Sequence, residues 1–348
     1  MTLARSVRRF VPVLLAPVIL LAPVPPALAA GEITVAKDTI RPKMDARGCM
    51  MDDKGCKGGD LIAYPGLIAE LNGALPSGAQ PYVEFRMNGK SIKIDAGSDD
   101  VYGIDNRTKI FVTDNHGSEN GWVFPGKIPA GTVEFTIGVR NELTESNDVI
   151  YQGKFDYEKR LISAGNEETV ELLVNDDWRL PIGYLYMTKD RGLHVVTWYR
   201  GRPGGVKTFL FRDGVEVAKN EGCGIGDVAD FDPTHYMYWE VDCEITGVYG
   251  DEESAKNGYE PNINLAANPG NYEFKCLAGG KLARVIKFTV NADGSFDNGI
   301  ATANQLGSER VIVPVEVKMD NPTWNKAAWK TGAYYGHPLT GFAVPGQP

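Results

Sequence analysis

The chain has 348 residues and a formal net charge of −9, with 45 acidic residues against 36 basic ones. An acidic chain with scattered basic residues is poorly suited to a phosphate backbone, so nucleic acid is excluded as an expected partner. The 40 glycines and 21 prolines fit a turn-rich all-β protein, and they are too few and too irregular for a fibrous or disordered chain.

The first thirty residues have the pattern of an export signal. Three arginines before position 10 precede an apolar stretch from Val11 to Val24, and Ala27-Leu28-Ala29 forms a small-x-small cleavage site. The stretch is too short and too rich in proline to span a bilayer as a stable helix. We therefore predict a signal peptide at residues 1–30 and an exported protein, in the periplasm, on the cell surface or outside the cell. Losing the three arginines takes the formal charge from −9 to −12.

About 318 residues remain, more than one β-core usually organises, so we expect two domains. We place β-sandwich domain 1 at residues 31–165 and β-sandwich domain 2 at residues 166–320, with the polar segment Lys159–Glu168 as the linker. Residues 321–348 form a tail with glycine, proline and five aromatic residues, which either packs across the second domain or reaches a partner. No later segment approaches 18 consecutive apolar residues, so no transmembrane segment is expected in the mature chain.

Strand patterns dominate the chain between these limits. In Thr132–Arg140, apolar residues from Val133 to Val139 alternate with polar ones, as a half-buried strand requires. The same pattern recurs at residues 313–319. Pro314 lacks an amide proton, which places that strand at a sheet edge or the proline at a bulge.

Two hairpins carry explicit turn chemistry, and they reveal a repeat. Asn88-Gly89 and Asp213-Gly214 each tolerate the positive φ angles of a tight hairpin turn. Residues 67–86 align without a gap with residues 193–212, an alignment that matches Phe85 with Phe211. Farther along, the segment before Phe135 resembles the segment before Phe274. Shared order and shared turn positions favour an internal duplication, each copy having seven or eight short strands, as expected for a sandwich.

One segment of the second copy resembles a known domain family. Tyr272-Glu273-Phe274-Lys275-Cys276-Leu277-Ala278 is similar to the penultimate strand of immunoglobulin-like domains of bacterial exported proteins, in which a cysteine follows a tyrosine. Here Phe274, and not a tyrosine, lies two residues before Cys276, and the matching strand of the first copy has no cysteine. The resemblance implies two antiparallel immunoglobulin-like β-sandwiches in tandem, and nothing specific about function.

The five cysteines are expected to be oxidised where geometry permits. Cys49 and Cys56 can close a small disulfide loop, and a soft-metal site that adds Met50 and Met51 is the alternative.

The remaining three cysteines allow one further bond. The pairing is either Cys223 with Cys243 or Cys243 with Cys276, which leaves one thiol that is buried or used between chains.

We find no sequence motif for catalysis. None of the four histidines lies in a metal-binding spacing, and neither a nucleophile elbow nor a phosphate-binding loop is present. His194 is expected to be a half-buried sheet residue, and His235 beside Asp232 is expected to lie in a turn. No catalytic residue and no cofactor are therefore predicted, although a carboxylate pair among 45 acidic residues stays open.

Oxygen-rich loops follow three of the predicted strands and offer ligands of the type that calcium prefers. The candidate ligands are Asp95, Asp99 and Asp100 in the first copy and Asn291, Asp293 and Asp297 in the second. Asp, Asn and Gly are also the ordinary residues of turns, and that interpretation is favoured.

Aromatic residues are the remaining candidates for a binding surface. They are Trp198 and Tyr199 in the second copy and Trp324, Trp329, Tyr334 and Tyr335 in the tail. Because half of the residues on alternating strands face the core, the core is the favoured place for Trp198 and Tyr199.

These patterns lead to three hypotheses of different classes. The first is a non-catalytic exported cell-envelope binding or structural protein that contacts a protein or a glycan. The second is a secreted hydrolase that acts on a glycan or a peptide through a carboxylate pair. The third is a calcium-dependent protein similar to an adhesin.

Overall fold

The computed structural model describes residues 33–344 except for ten short gaps. The gaps are residues 51–56, 102–106, 113–119, 165–166, 189–191, 227–237, 251–254, 256–258, 297–298 and 321–322. The predicted signal peptide, residues 1–30, lies outside the described residues and stays a prediction.

The described chain is all-β, with two large antiparallel sheets. The strands of the first sheet are β1 (Thr34–Gly48), β2 (Leu61–Asn72), β3 (Ala79–Met87), β4 (Lys90–Asp95), β5 (Gly97–Asp100), β6 (Arg107–Val112), β7 (Trp122–Phe124), β8 (Gly131–Asn141), β9 (Ser146–Ala164) and β10 (Glu167–Val174). They are ordered β4-β3-β8-β9-β10-β1-β2-β6-β5, and β7 pairs with β2.

The strands of the second sheet lie in the second half of the chain. They are β11 (Ile182–Thr188), β12 (Gly192–Arg200), β13 (Val206–Arg212), β14 (Val215–Asn220), β15 (Gly224–Gly226), β16 (Tyr238–Ile245), β19 (Gly270–Ala278), β20 (Lys281–Val290) and β21 (Val311–Val317), and the short strands β17 (Val248–Tyr249) and β18 (Ile263–Asn264) form a separate parallel pair. Short helices are α1 (Ile300–Ala303) and α2 (Trp329–Gly332), with 3₁₀ turns at Asp177–Arg179 and Ala333–Tyr335.

The two large sheets have the same strand order. The second runs β14-β13-β19-β20-β21-β11-β12-β16-β15, so β1 to β6 correspond to β11 to β16, and β8, β9 and β10 correspond to β19, β20 and β21. Duplication of one unit explains an identical order of nine strands more simply than the independent origin of two sheets does. The common topology therefore supports the internal duplication predicted from the hairpins.

Each sheet curls toward a barrel around its own apolar core. In the first copy, Phe85 of β3 and Ile110 of β6, from opposite ends of the strand order, belong to one buried cluster. In the second copy, Leu210 of β13 and Val241 of β16 share a cluster in the same way.

Both predicted hairpins are confirmed, and their turns fix the register of the repeat. Asn88 and Asp213 have φ angles of 49° and 48°, and each is followed by a glycine with positive φ. When residues are counted back from the two turns, Leu210 is equivalent to Phe85, and both side chains are fully buried. The alignment of Phe85 with Phe211 is therefore wrong by one residue, and a shift of one residue moves a side chain to the opposite face.

The strand that contains Pro314 is not at an edge of its sheet. Residues 311–314 of β21 pair with β11, and residues 315–317 pair with β20, so the strand exchanges partners just after the proline. Pro314 is tolerated in an interior strand because pairing with β20 begins only after it, so no hydrogen bond to β20 requires the amide proton that proline lacks.

The prediction of a linker at Lys159–Glu168 is wrong, because most of this segment belongs to two paired strands. β9 extends to Ala164, and Glu167 opens β10, which still belongs to the first sheet. Polar composition suggested a loop, but backbone pairing between two long strands does not depend on apolar side chains. The boundary between the two sheets lies farther along the chain, because the first sheet ends with β10 at Val174 and the second begins with β11 at Ile182.

The C-terminal segment, which we define as residues 323–344, does not pack mainly on the second core. Tyr334, Tyr335, Phe342 and Val344 belong to the buried cluster of the first copy, together with Trp178. Residues from Ile33 onward form one compact unit. In the described part of the chain we find no helix with the length and apolar character needed to cross a membrane.

Candidate functional site

The densest group of charged and aromatic side chains lies where the two copies meet. One face of β11, β12 and β16 packs against β1 and against the C-terminal segment, and its apolar residues Tyr184 and Val196 join the first core. We call the polar residues at this contact the junction cluster. Its members are Asp38, Arg41, Asp176, Arg179, Glu240, Arg310 and Tyr335.

Two arginines of the junction cluster share one carboxylate. Arg41 Nη2 lies 2.9 Å from Glu240 Oε2, and Arg310 Nη2 lies 3.8 Å from Glu240 Oε1. Arg310 also approaches Asp38, which is fully buried and accepts a hydrogen bond of 3.0 Å from Ser308. Arg41 and Asp38 come from β1 and Glu240 from β16, so these ion pairs join the two copies.

Arg179 lies at the centre of the cluster and is fully buried. Its Nε donates to Asp176 Oδ2 at 2.8 Å, and its Nη2 donates to the Ile40 carbonyl at 2.7 Å and to the Tyr335 hydroxyl at 2.5 Å. Burial acts to lower the pKa of Arg179, but its electrostatic interactions with Tyr335 and Asp176 raise it above its ordinary value. The guanidinium therefore stays charged and holds three chain segments together.

A second polar group, Tyr186, His194 and Asp242, lies at the rim of the same face. His194 Nδ1 lies 2.9 Å from Asp242 Oδ1, and the Tyr186 hydroxyl donates to Asp242 Oδ2 at 2.5 Å. Burial acts to raise the pKa of Asp242, but hydrogen bonds from His194 and Tyr186 lower it overall. The prediction that His194 lies in a strand is confirmed, although the residue is buried and not half-buried, and its ring stacks on Tyr186 at 4.5 Å.

The aromatic candidates do not form an exposed platform. Trp198, Tyr199, Trp324, Tyr334 and Tyr335 are all buried, and Trp329 is half-buried against Phe342. Five of the six binding-surface candidates are therefore interior residues. Trp198 and Tyr199 were expected in the core, and both are buried, but only Tyr199 belongs to the second core. Trp198 faces the junction because β12 is covered on both faces.

The Asp-rich loops hold their side chains in ordinary surface contacts. Asp95 forms an ion pair of 2.8 Å with Arg140, and Asp293 accepts a backbone hydrogen bond from Ser295 within its own turn. Asp99 and Asp100 lie on the exposed edge strand β5. Among the described residues no three acidic, histidine or cysteine side chains are grouped closely enough to hold a metal ion. Asn291 lies in the turn of Asp293, and Asp297 lies outside the described residues.

One of the predicted disulfides is confirmed. Cys223 and Cys243 are bonded, which joins the segment after β14 to β16 and ties the two ends of the second sheet together. Cys276 is a buried free thiol whose pKa is raised to about 11 by burial. Cys56 and Met51 lie outside the described residues, so the Cys49–Cys56 bond stays a prediction, and so does the alternative metal site with Met50.

With the alignment corrected by one residue, two aromatic side chains of β13 correspond to outward-facing residues of the first copy and not to buried ones. Phe209 and Phe211 of β13 lie on the outer face of the second sheet and are half-buried. On the neighbouring strands β19 and β20, Glu273 and Lys287 continue the row of Phe211. Lys275 Nζ lies 4.1 Å from the ring centroid of Phe211 and 3.0 Å from a Glu273 carboxylate oxygen.

A shallow depression of about 400 Å³ adjoins this row, between Phe211, the Asp213-Gly214 turn and Thr289. We call Phe209, Phe211, Glu273, Lys275 and Lys287 the Phe209/Phe211 face.

The first copy carries charged residues at the equivalent positions. Arg86 lies beside Glu134, which lies beside Lys154, in the same three-strand row. Phe211 therefore takes the place of Arg86, and by the same register Phe209 takes the place of Glu84. The two copies thus share a fold but differ in the chemistry of this outer face.

No protein-family model, no curated protein and no solved structure matches this chain.

Proposed function

We propose that this chain is a non-catalytic exported protein of the bacterial cell envelope that binds a protein or a glycan partner. The observation that carries the proposal is the Phe209/Phe211 face. Two half-buried aromatic side chains keep part of their surface in solvent, on a sheet face whose counterpart in the first copy is charged. Exposed apolar side chains that are grouped and edged by polar residues are typical of interaction sites.

Two features support export. The N-terminal residues have the charged, apolar and small-residue regions of a secretory signal. The Cys223–Cys243 disulfide fits an oxidising compartment, because cytosolic proteins rarely keep such bonds.

We further propose that each copy is an immunoglobulin-like β-sandwich. In the second copy, β21 pairs first with β11 and then with β20, as a strand does when it passes from one layer of a sandwich to the other. Cys276 lies fully buried in β19 with Tyr272 and Phe274 on the same face, which suits the core-facing cysteine of the family pattern.

The chemistry of the face restricts the mode of contact. The Phe rings provide apolar area, and Lys275, Lys287 and Glu273 provide charged groups at its margin. An apolar centre with a charged rim is the usual arrangement of a protein interface, and stacking of a sugar ring on an aromatic side chain uses the same elements. A rigid junction between the copies would hold this face in a fixed orientation toward the partner.

The test uses the chain from Gly31 and a variant that carries the residues of the first copy, Phe209→Glu with Phe211→Arg. Binding to envelope extract and to a panel of envelope glycans is measured quantitatively for both proteins. We expect the variant to lose at least about tenfold in affinity, because it removes the apolar centre of the contact. Tyr259→Ser is the matched control, since Tyr259 is an aromatic residue of the second copy that is 69% exposed.

The outcome is read against that control. Equal retention of the partner by the double variant and by the wild type would overturn the role of this face. Turnover of a glycan or a peptide that a single acidic substitution abolishes would overturn the non-catalytic assignment.

A further inference from the structure

The C-terminal segment forms one side of another cavity. This cavity is built by other elements than the Phe209/Phe211 face and by residues that are distant from it in sequence. This cavity has a volume of about 570 Å³ and opens to solvent. Its wall is made by the beginning of β1, by α1 with the turn that follows it, and by residues 336–340. The polar side chains on the wall are Lys37, Thr302, Asn304, Gln305, His337 and Thr340.

Specific hydrogen bonds hold the wall in place. Asn304 Nδ2 donates to the Thr340 carbonyl at 2.7 Å, and the Thr340 amide donates back to Asn304 Oδ1 at 2.6 Å. The Lys37 amide donates to the Leu306 carbonyl at 2.8 Å, which fixes β1 to the segment after α1. These contacts between main chain and side chains frame the cavity.

His337 is fixed on the opposite side of the cavity. Its ring lies 4.8 Å from the ring of Tyr151, and its Nε2 lies 2.5 Å from the Gln152 carbonyl oxygen. Because a carbonyl oxygen only accepts, Nε2 must carry the proton. The ring orientation is therefore set by the protein.

The charge of the wall is unusual for this chain. Acidic residues outnumber basic ones by 45 to 36, yet among the described residues no carboxylate lines the cavity, and its basic side chains are Lys37 and His337. Lys37 is half-buried and forms no ion pair with any residue that the structure describes. A half-buried ammonium group with no acidic neighbour among the described residues attracts an anionic group.

The rest of the wall favours hydroxyl groups. Gln305 offers a carboxamide, Thr340 offers a hydroxyl, and Pro338 and Leu339 add apolar surface, whereas the Asn304 carboxamide is already engaged within the wall. Carboxamides and hydroxyls pair with the hydroxyl groups of a sugar, and small apolar side chains suit its C–H face. A cavity of this volume accommodates one or two sugar rings.

We propose that this cavity binds a carboxylated saccharide, with Lys37 recognising the carboxylate and with Gln305 and the Thr340 hydroxyl recognising the sugar hydroxyls. The site is separate from the Phe209/Phe211 face, so it adds a second ligand to the proposed function and does not depend on it. Because residues 336–340 form one wall, bound saccharide also fastens the C-terminal segment.

The test titrates the chain from Gly31 with galacturonic acid and with digalacturonate by calorimetry. Galactose, inorganic phosphate and acetate serve as the neutral and the simple-anion comparisons. We expect the uronates to bind at millimolar affinity or better, and galactose to bind at least about tenfold more weakly, because it lacks the charge that Lys37 recognises.

Three variants locate the site. Lys37→Gln should weaken uronate binding at least about tenfold, whereas Lys37→Arg should retain most of it. Lys127→Gln is the matched control, because Lys127 is an exposed lysine of the same copy and lies outside the cavity. The Phe209→Glu/Phe211→Arg variant should bind uronate as the wild type does.

Each other result decides against the proposal. No uronate binding, or binding that Lys37→Gln leaves unchanged, would remove the site. Equal affinity for phosphate or acetate would make it a general anion site and overturn the saccharide assignment. Loss of uronate binding in the Phe209→Glu/Phe211→Arg variant would show that the two sites are not independent.

Discussion

The guanidinium of Arg179 lies 4.6 Å from the ring centroid of Trp198, and this contact joins the segment after the first sheet to a strand of the second. Trp178 lies 4.3 Å from the same guanidinium, so two indole rings enclose the charge. A cation between aromatic faces is stabilised by the electron density of the rings. The junction between the copies is therefore built around a buried ion, and its energetics should follow the rules of buried ions.

Replacing Arg179 by methionine should destabilise the protein strongly. The substitution leaves the Asp176 carboxylate without its principal partner in a buried site, at a cost of about 3–5 kcal/mol in the free energy of unfolding. Urea unfolding followed by tryptophan fluorescence measures the loss. The double variant Arg179→Met with Asp176→Asn should recover part of it, because the unpaired charge is gone. A single variant that loses less than about 1 kcal/mol would show that the ion pair is not important for stability.

Replacing Tyr335 by phenylalanine should weaken the attachment of the C-terminal segment. The hydroxyl accepts from Arg179 and lies 3.3 Å from the Ile40 carbonyl and 3.2 Å from Asp176 Oδ2. Its removal leaves buried polar partners unsatisfied, so we expect a loss of about 1–3 kcal/mol in urea unfolding. Tyr259→Phe, at an exposed tyrosine, should change stability by less than about 0.5 kcal/mol. Equal effects of the two substitutions would contradict the assigned role.

The Asp242 contacts predict a dependence of stability on acid pH. Because the pKa of Asp242 is lowered in the folded state, its contribution is present above the unfolded value of 3.8 and disappears as the pH falls through the folded value. Asp242→Asn should therefore lose about 1–2 kcal/mol at pH 7, and the difference from the wild type should shrink below pH 4. Asp95→Asn, at an exposed ion pair, is the control and should show little effect at either pH. A constant difference between pH 7 and pH 3 would refute the prediction.

Cys276 predicts a dependence on alkaline pH with the opposite sign. Burial raises the pKa of this thiol from 9.0 to about 11, so the folded state keeps its proton in a range where the unfolded chain loses it. Stability should therefore fall between pH 9 and about pH 11, by about 2–3 kcal/mol from this group alone. Cys276→Ala removes the term, and its unfolding free energy should fall less steeply over the same range. Parallel curves for the two proteins would argue against burial of the thiol.

Local sequence patterns predicted the all-β class, both hairpin turns and the repeat. Asn88-Gly89 and Asp213-Gly214 adopt positive φ angles that few other residue pairs permit, so their sequence alone identifies the turns. Alternation in β8 likewise places Val133, Phe135 and Ile137 on one buried face. These features depend on interactions between residues that are close in the chain.

The candidate sites were much less predictable. Alternation shows that a strand has two faces, but it does not show what covers each face. Trp198 was a candidate for a surface and is buried, because the second face of β12 is covered by the first copy and the C-terminal segment. Phe211 was matched with the core residue Phe85 and lies on the outer face, because backbone pairing at the turn set a register that the alignment missed by one.

The amino-acid sequence by itself predicted the all-β class, both hairpin turns and the similarity of the two halves, since these follow from a period of two and from the φ angles that a short segment permits. Only the tertiary structure decided which faces are covered. The pairing of Arg179 with Asp176, Ile40 and Tyr335 brings together residues up to 295 positions apart. The cavity beside Lys37 exists because a C-terminal segment folds back over β1. The Arg179 contacts and this cavity depend on packing between residues that are distant in the chain. That packing is stabilised by burial and by pairing of opposite charges, and it produces no periodic pattern in the sequence.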